Sequence, residues 1–154
     1  MKAPRSKSVA TWLAVVGGTL GLHRFYLYGW RDRLGWLYPL PTLLGLAGVQ
    51  RMRAFGQDDR VAWVLIPVLG LMISLAMLNA IVYGLTSDEK WAARHAPGQP
   101  PQSTGWIPVL GVIVALLVGA SVFMGTVAFS GQHFFEWQLE QPAAEAVQKS
   151  TRPT

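Results

Sequence analysis

Gly17-Gly18-Thr19-Leu20-Gly21-Leu22-His23-Arg24-Phe25-Tyr26-Leu27-Tyr28-Gly29-Trp30-Arg31-Asp32-Arg33 is where this chain changes character. Ahead of it lies an apolar run from Val9, and behind it a second one from Leu34. Between them a glycine-spaced segment turns into a His-Arg pair, an aromatic cluster and a charged turn. An arginine at mid-bilayer costs roughly 2.5–3.5 kcal/mol on insertion scales, so a His-Arg pair inside or at the edge of a membrane helix needs a reason. As a structural feature, Arg24 snorkels to the headgroups within an aromatic interface belt of Phe25, Tyr26, Tyr28 and Trp30. As a functional one, His23 and Arg24 face a neighbouring helix or partner, with Asp32 as counter-charge.

Composition supports the membrane setting. Of 154 residues, 51% are hydrophobic and 14% charged, against about 25% charged in soluble domains. The apolar residues fall in long blocks. There is no cysteine, which removes disulfides, thiol catalysis and thiolate metal sites. The net charge of +5 comes from basic residues flanking apolar segments, the pattern of headgroup contact and not of a nucleic-acid-binding face. Lys2, Arg5 and Lys7 ahead of an apolar run resemble a signal peptide, but Gly21-Leu22-His23-Arg24 is no cleavage site. An uncleaved membrane helix is expected.

Four apolar segments follow from this reading, giving an all-α, polytopic helical membrane protein. After a basic tail, 1–7, the first helix runs from about Ser8 to Tyr28, and the second from about Leu34 to Val49. The second is short, about 25 Å at 1.5 Å per residue, and Pro39 and Pro41 make it a kinked span or a re-entrant loop. The third, Val61 to Leu85, should be kinked at Pro67, with Asn79 its one strongly polar side chain. The fourth runs from Trp106 to Phe129, followed by a mobile polar tail, 130–154. These divide the chain into a hairpin at 8–50, a charged loop and third span at 51–85, a linker at 86–105 and the fourth span at 106–129.

Gly17, Gly18 and Gly21 on the first helix, and Gly111, Ala115 and Gly119 on the fourth, form small-residue faces on which membrane helices pack closely. Gly17–Gly21 lacks the spacing of a phosphate loop. Asp58-Asp59 reads as a salt-bridged loop and helix cap beside Arg51, Arg53 and Arg60. Ser87-Asp88-Glu89 has the form of a helix N-terminus leading to about His95, ahead of an extended Pro-rich linker. With four crossings, the N-terminal side holds eight Lys and Arg against four, placing both termini in the cytoplasm.

His23, His95 and His133 are in separate segments without metal-ligand spacing, and no nucleophile elbow or phosphate loop is present. No catalytic, cofactor or metal site is expected.

Lys7-Ser8, the glycine-spaced helix, His23-Arg24-Phe25-Tyr26-Leu27, a short turn and a second Gly-bearing helix together resemble the TM2 domain over about residues 5–55. The family's Asp/His-Arg-Phe motif falls on His23-Arg24-Phe25. Where many bacterial members continue Tyr-Leu-Gly, this chain reads Tyr26-Leu27-Tyr28-Gly29, and the glycine-rich end of the second helix is echoed loosely by Gly45-Leu46-Ala47-Gly48 and Asp58. The resemblance implies two membrane helices joined by a short linker, in a bacterial inner-membrane protein, more than it implies an activity. The expectation is a non-enzymatic helical module in the bilayer, binding another membrane protein or itself. The alternative is a small oligomeric transporter with Arg24 and Asn79 on a polar path.

Overall fold

The structure is a computed structural model and describes residues 5–98, 100–101 and 103–150, the side chains of 143–150 excepted. It is all-α. Among the described residues the helices are α1 (Lys7–Gly17), α2 (Leu22–Tyr28), α3 (Arg33–Leu37), α4 (Pro39–Phe55), α5 (Arg60–Leu85), α6 (Asp88–His95) and α7 (Ile107–Ser150), with a 3-10 turn at Gly18–Leu20. α5 is the axis. α7 lies antiparallel to it: Pro108 and Val112 meet Gly84, Gly119 meets Met77, and Thr126 meets Gly70. We call the end of the bundle holding Thr86 and α6 the near end, and the end holding the Phe55–Arg60 connection the far end.

The first apolar segment departs from expectation. It does not cross as one helix from Ser8 to Tyr28. α1 enters from the near end antiparallel to α5, with Thr11 against Gly84 and Gly18 against Ala76, about a third of the way along α5. The chain then reverses. Gly21 takes φ 75°, a left-handed conformation that costs an L-residue with a side chain roughly 1–2 kcal/mol. α2 runs back toward its starting point, so that the Ser6 amide donates to Tyr26 Oη at 2.9 Å. Leu27 is buried in one cluster with Ala10 and Trp91. A continuous helix would hold residues 6 and 26 about 30 Å apart.

α3 and α4 return from the near end to the far end. Tyr38 between them keeps helical angles, φ −61° and ψ −43°, so the break is a kink. Its cause is Pro39 and Pro41, which lack the N–H groups that would bond the carbonyls of Gly35 and Leu37. The freed Gly35 carbonyl lies against Gly21, where a Cβ would stand 2.5 Å from the oxygen. The second segment is thus a kinked helix, extending to Phe55 and not ending near Val49.

Two connections follow expectation. Asp59 caps α5 by accepting from the Val61 amide and pairs with Arg51 at 2.8 Å. Ser87 caps α6, with Asp88 and Glu89 in its first turn and Arg94 and His95 in its last. Those charges complement the helix dipole. At the C-terminal end α7 continues past Phe129 to Ser150, so the polar stretch 130–150 is helical, and 151–154 lie outside the described residues. Arg60 pairs with Glu140 at 3.0 Å, which places α7 past the bilayer-length segment at the far end. Lys7 and Glu140 are therefore at opposite ends of the bundle.

Along α1, α4, α5 and α7 most buried positions are small, Lys7 and Met77 excepted. α1 buries Ala10, Thr11, Ala14 and Gly17; α4 buries Thr42, Gly45 and Gly48; α7 buries Pro108, Gly111, Ala115 and Gly119. Large side chains such as Leu43, Val64, Leu71, Leu117 and Met124 face outward. A soluble core has the reverse arrangement. Two helices, Arg60–Leu85 and the Ile107–Pro142 part of α7, are individually long and apolar enough to cross a membrane. Both point to membrane association.

Candidate functional site

The residues singled out around His23 converge at the near half of the bundle, and the short helix α2 positions them. Seven residues cannot hold a helix alone. α2 stands because each residue of its His23-Arg24-Phe25-Tyr26 run meets a different neighbour. His23 points inward and is fully buried. Its ring lies edge-on to Tyr38, centroids 5.4 Å apart, and tilted against Tyr83 at 5.8 Å. Neither ring nitrogen has a hydrogen-bond partner in the protein. Arg24 Nε donates to Asp32 Oδ2 at 2.7 Å, and its guanidinium lies 5.1 Å from the Tyr28 ring centre. Phe25 stacks on Trp30 at 5.2 Å and meets Trp36 edge-on, filling the space that Gly35 leaves without a side chain. Tyr26 receives the Ser6 amide and carries the Arg5 guanidinium over its ring.

Asp32 has two tasks. One carboxylate oxygen takes the Arg24 hydrogen bond, and the other accepts from the Leu34 amide at the start of α3. The Arg24 hydrogen bond, with lesser help from the Leu34 and Gly35 amides, holds this carboxyl below the usual range. The counter-charge expected for Arg24 is in place. Asn79 joins the same region from α5: its Nδ2 donates to Leu75 O at 2.9 Å and to Tyr38 Oη at 3.4 Å.

Two contributors escaped the sequence reading. Tyr38 and Tyr83 form the walls around His23 from α3–α4 and α5. A lone tyrosine within an otherwise apolar run was the available signal for Tyr83. The second is the Lys7–Asp88 pair. Lys7, nominally a tail residue, is buried and donates to the Thr86 carbonyl and to Asp88, whose carboxylate also takes the Thr104 hydroxyl at 2.8 Å. The Trp91 indole donates to the Arg5 carbonyl at 2.7 Å. These bonds tie α6 to the chain's beginning.

The small-residue faces are spent inside the bundle. Ala115 is fully buried in one cluster with Ala14, Ala76, Met77 and Ala80. Gly111 lies against Thr11, Gly119 against Met77, Gly17 against Leu22 and Gly18 against Ala76. Among the described residues no group of three or more His, Cys, Asp or Glu is close enough together to hold a metal ion. The arrangement is a buried aromatic box around an imidazole, with an ion pair beside it. Compared with known proteins, the chain matches no family model, no curated protein and no solved structure.

Proposed function

We propose that this chain is an integral membrane module that acts by association and not by catalysis, a bacterial inner-membrane protein built on a TM2-like amino-terminal third. The observation that carries the reading is the inverted packing: glycine, alanine and threonine inside, leucine and valine outside. Lipid or an apolar partner is the solvent such a surface suits. In place of four crossings, the reading has three, by α3–α4, α5 and α7. The α1–α2 hairpin dips in from the near end and returns. Among the described residues six Lys and Arg flank the near end (Arg5, Lys7, Arg31, Arg33, Lys90, Arg94) and four the far end (Arg51, Arg53, Arg60, Lys149). On this reading that bias favours a cytoplasmic near end, with the far end of α7 on the opposite side. Because the chain has no cysteine, single cysteines at Ser6 and Gly56 report this directly. Labelling of both from one side by an impermeant maleimide defeats the three-crossing reading.

The pairing of ionisable groups with one another, Lys7 with Asp88, Arg24 with Asp32, Arg51 with Asp59 and Arg60 with Glu140, supports structural roles for them. The deciding experiment is tagged purification from native membranes in mild detergent with mass spectrometry. A stoichiometric membrane-protein partner supports an accessory module, and a defined homo-oligomer supports self-association. Recovery as a lone monomer counts against both.

One observation favours a second reading, a small oligomeric transporter. His23 is buried without a polar partner beside the Tyr38–Asn79 pair. Ion flux in proteoliposomes that changes with His23→Ala and Arg24→Ala favours transport, and no flux for any ion tested removes it.

A further inference from the structure

At the junction of α5 and α6 lies an open groove of about 440 Å³ with two kinds of wall. Ile81, Val82 and Leu85 supply an apolar floor from the last turns of α5, and Ser87, Lys90 and Arg94 supply a polar, cationic rim. Val82 and Leu85 are exposed, on the outward side of a span with no protein to cover them. Lys90 and Arg94 are one helical turn apart on α6, so their charged heads share a face. Both are exposed, and neither enters an ion pair among the described residues. The acids near them are accounted for. Asp88 is engaged by Lys7 and Thr104, and Glu89 is not part of the groove lining.

We propose that this groove binds one anionic phospholipid, its acyl chain along Ile81, Val82 and Leu85 and its phosphate between Lys90 and Arg94. The inference rests on the membrane reading above. Two features select a lipid. A free phosphate gains nothing from an apolar floor, and a zwitterionic headgroup brings a positive charge into a site that already has two. The groove also sits where an apolar span ends and a surface helix begins, the depth at which headgroups lie. α6 is then a headgroup clamp, held in register by Trp91 on the Arg5 carbonyl and by Asp88 on Lys7.

The test uses the full chain purified in mild detergent, with native mass spectrometry against added phosphatidylglycerol, phosphatidylcholine or inorganic phosphate. Phosphatidylglycerol should be retained roughly 30-fold better than phosphatidylcholine, as two basic side chains at one headgroup imply. Lys90→Gln/Arg94→Gln should bring retention to the phosphatidylcholine level. Arg31→Gln/Arg33→Gln, at the same end and of the same charge, should leave it unchanged, as should excess inorganic phosphate. Equal retention by the Lys90/Arg94 variant overturns the site. Equal loss in the Arg31/Arg33 control reduces it to diffuse charge, and displacement by phosphate alone makes it a free-anion site. Carbonate extraction of cell membranes separates the premises. Release of the wild-type chain sinks the membrane reading itself, while a membrane-retained chain without lipid preference sinks only the groove.

Discussion

At the near end, α2 is held by four consecutive side chains with four different partners. At the far end, α4 is held on α5 by the absence of side chains. Gly45 lies so close to Leu69 that a Cβ would stand 2.4 Å from the Leu69 Cβ and 2.7 Å from its amide nitrogen, and Gly48 meets Leu65 in the same way. The two regions solve one problem differently. Helices in lipid gain no hydrophobic stabilisation by meeting, so they meet through close van der Waals contact or through polar bonds. α4 is long enough to use the first. α2 has seven residues, too few for a packing face, and uses rings, an ion pair and a backbone amide. α2 is therefore specified by residue identity and α4 by residue size.

The largest effect should come from size at the far end. Gly45→Val puts two branches against the backbone of α5, which has no flexible tip to move aside. A loss of about 3 kcal/mol or more is expected, at the upper end of overpacking costs. Denaturant unfolding in mixed micelles, followed by tryptophan fluorescence, measures it. Gly125→Ala is the control, since nothing lies within 4 Å of the added atom. It should be neutral or stabilising by up to about 1 kcal/mol, the helix-propensity difference. Equal destabilisation by both variants breaks the distinction between the two regions.

Gly21→Ala ranks next, because it joins both mechanisms. The left-handed φ costs roughly 1–2 kcal/mol, and the new Cβ meets the Gly35 carbonyl that Pro39 leaves unbonded. The α1–α2 hairpin should open while the α4–α5 contact persists. Hydrogen exchange then shows protection lost over 22–28 and kept over 42–55. Loss in both regions at once means the hairpin is part of one cooperative unit.

Below that comes the ion pair. Arg24→Ala leaves the Asp32 carboxylate without its partner, whereas Arg24→Ala with Asp32→Asn removes both charges and keeps the oxygen that caps α3. The double variant should be the milder of the two per residue changed, with a coupling energy of about 1–2 kcal/mol from a double-mutant cycle. Zero coupling would return Arg24 to a snorkelling side chain with no structural partner.

The sequence was most informative where type and spacing act locally. The caps at Asp59 and Ser87, the unbroken apolar run of α5 and the Arg24–Asp32 pair, eight positions apart, all follow from residues close together in the chain. The reversal at Gly21 was hidden for a physical reason. Glycines at 17, 18 and 21 suit a packed helix face and a turn equally, and the groups that hold α2 in its reversed course, among them Tyr38, Tyr83 and Ser6, lie too far along the chain for a local pattern to choose between the two. Gly111, Ala115 and Gly119 were read as a packing face, but sequence carries no sign of whether the partner is another chain or α1 and α5 of the same one. The aromatic box around His23 draws Tyr38 and Tyr83 from segments up to 60 positions away, and no local pattern joins them.

The smallest expected effect concerns pH at the near end. His95 lies against Trp91 and Tyr28, ring centres 4.4 and 6.4 Å away. Burial lowers its pKa below the ordinary 6.5, and Arg5 and Arg94 lower it further. A group with a lowered folded pKa takes its proton first in the undocked state. Its contribution to α6 docking is therefore complete above pH 6.5 and is lost as pH falls from there toward the folded value. The imidazole is only partly buried, so the loss should be small. Asp88 acts in a different window: the Lys7 hydrogen bond lowers its pKa from 3.8, so its share of docking goes only below that. Hydrogen exchange of 88–95 between pH 7.5 and 5 should show a shallow loosening that His95→Gln abolishes and Asp88→Asn does not. A loosening that survives His95→Gln would assign it to another group and leave the near end's fastening independent of this ring.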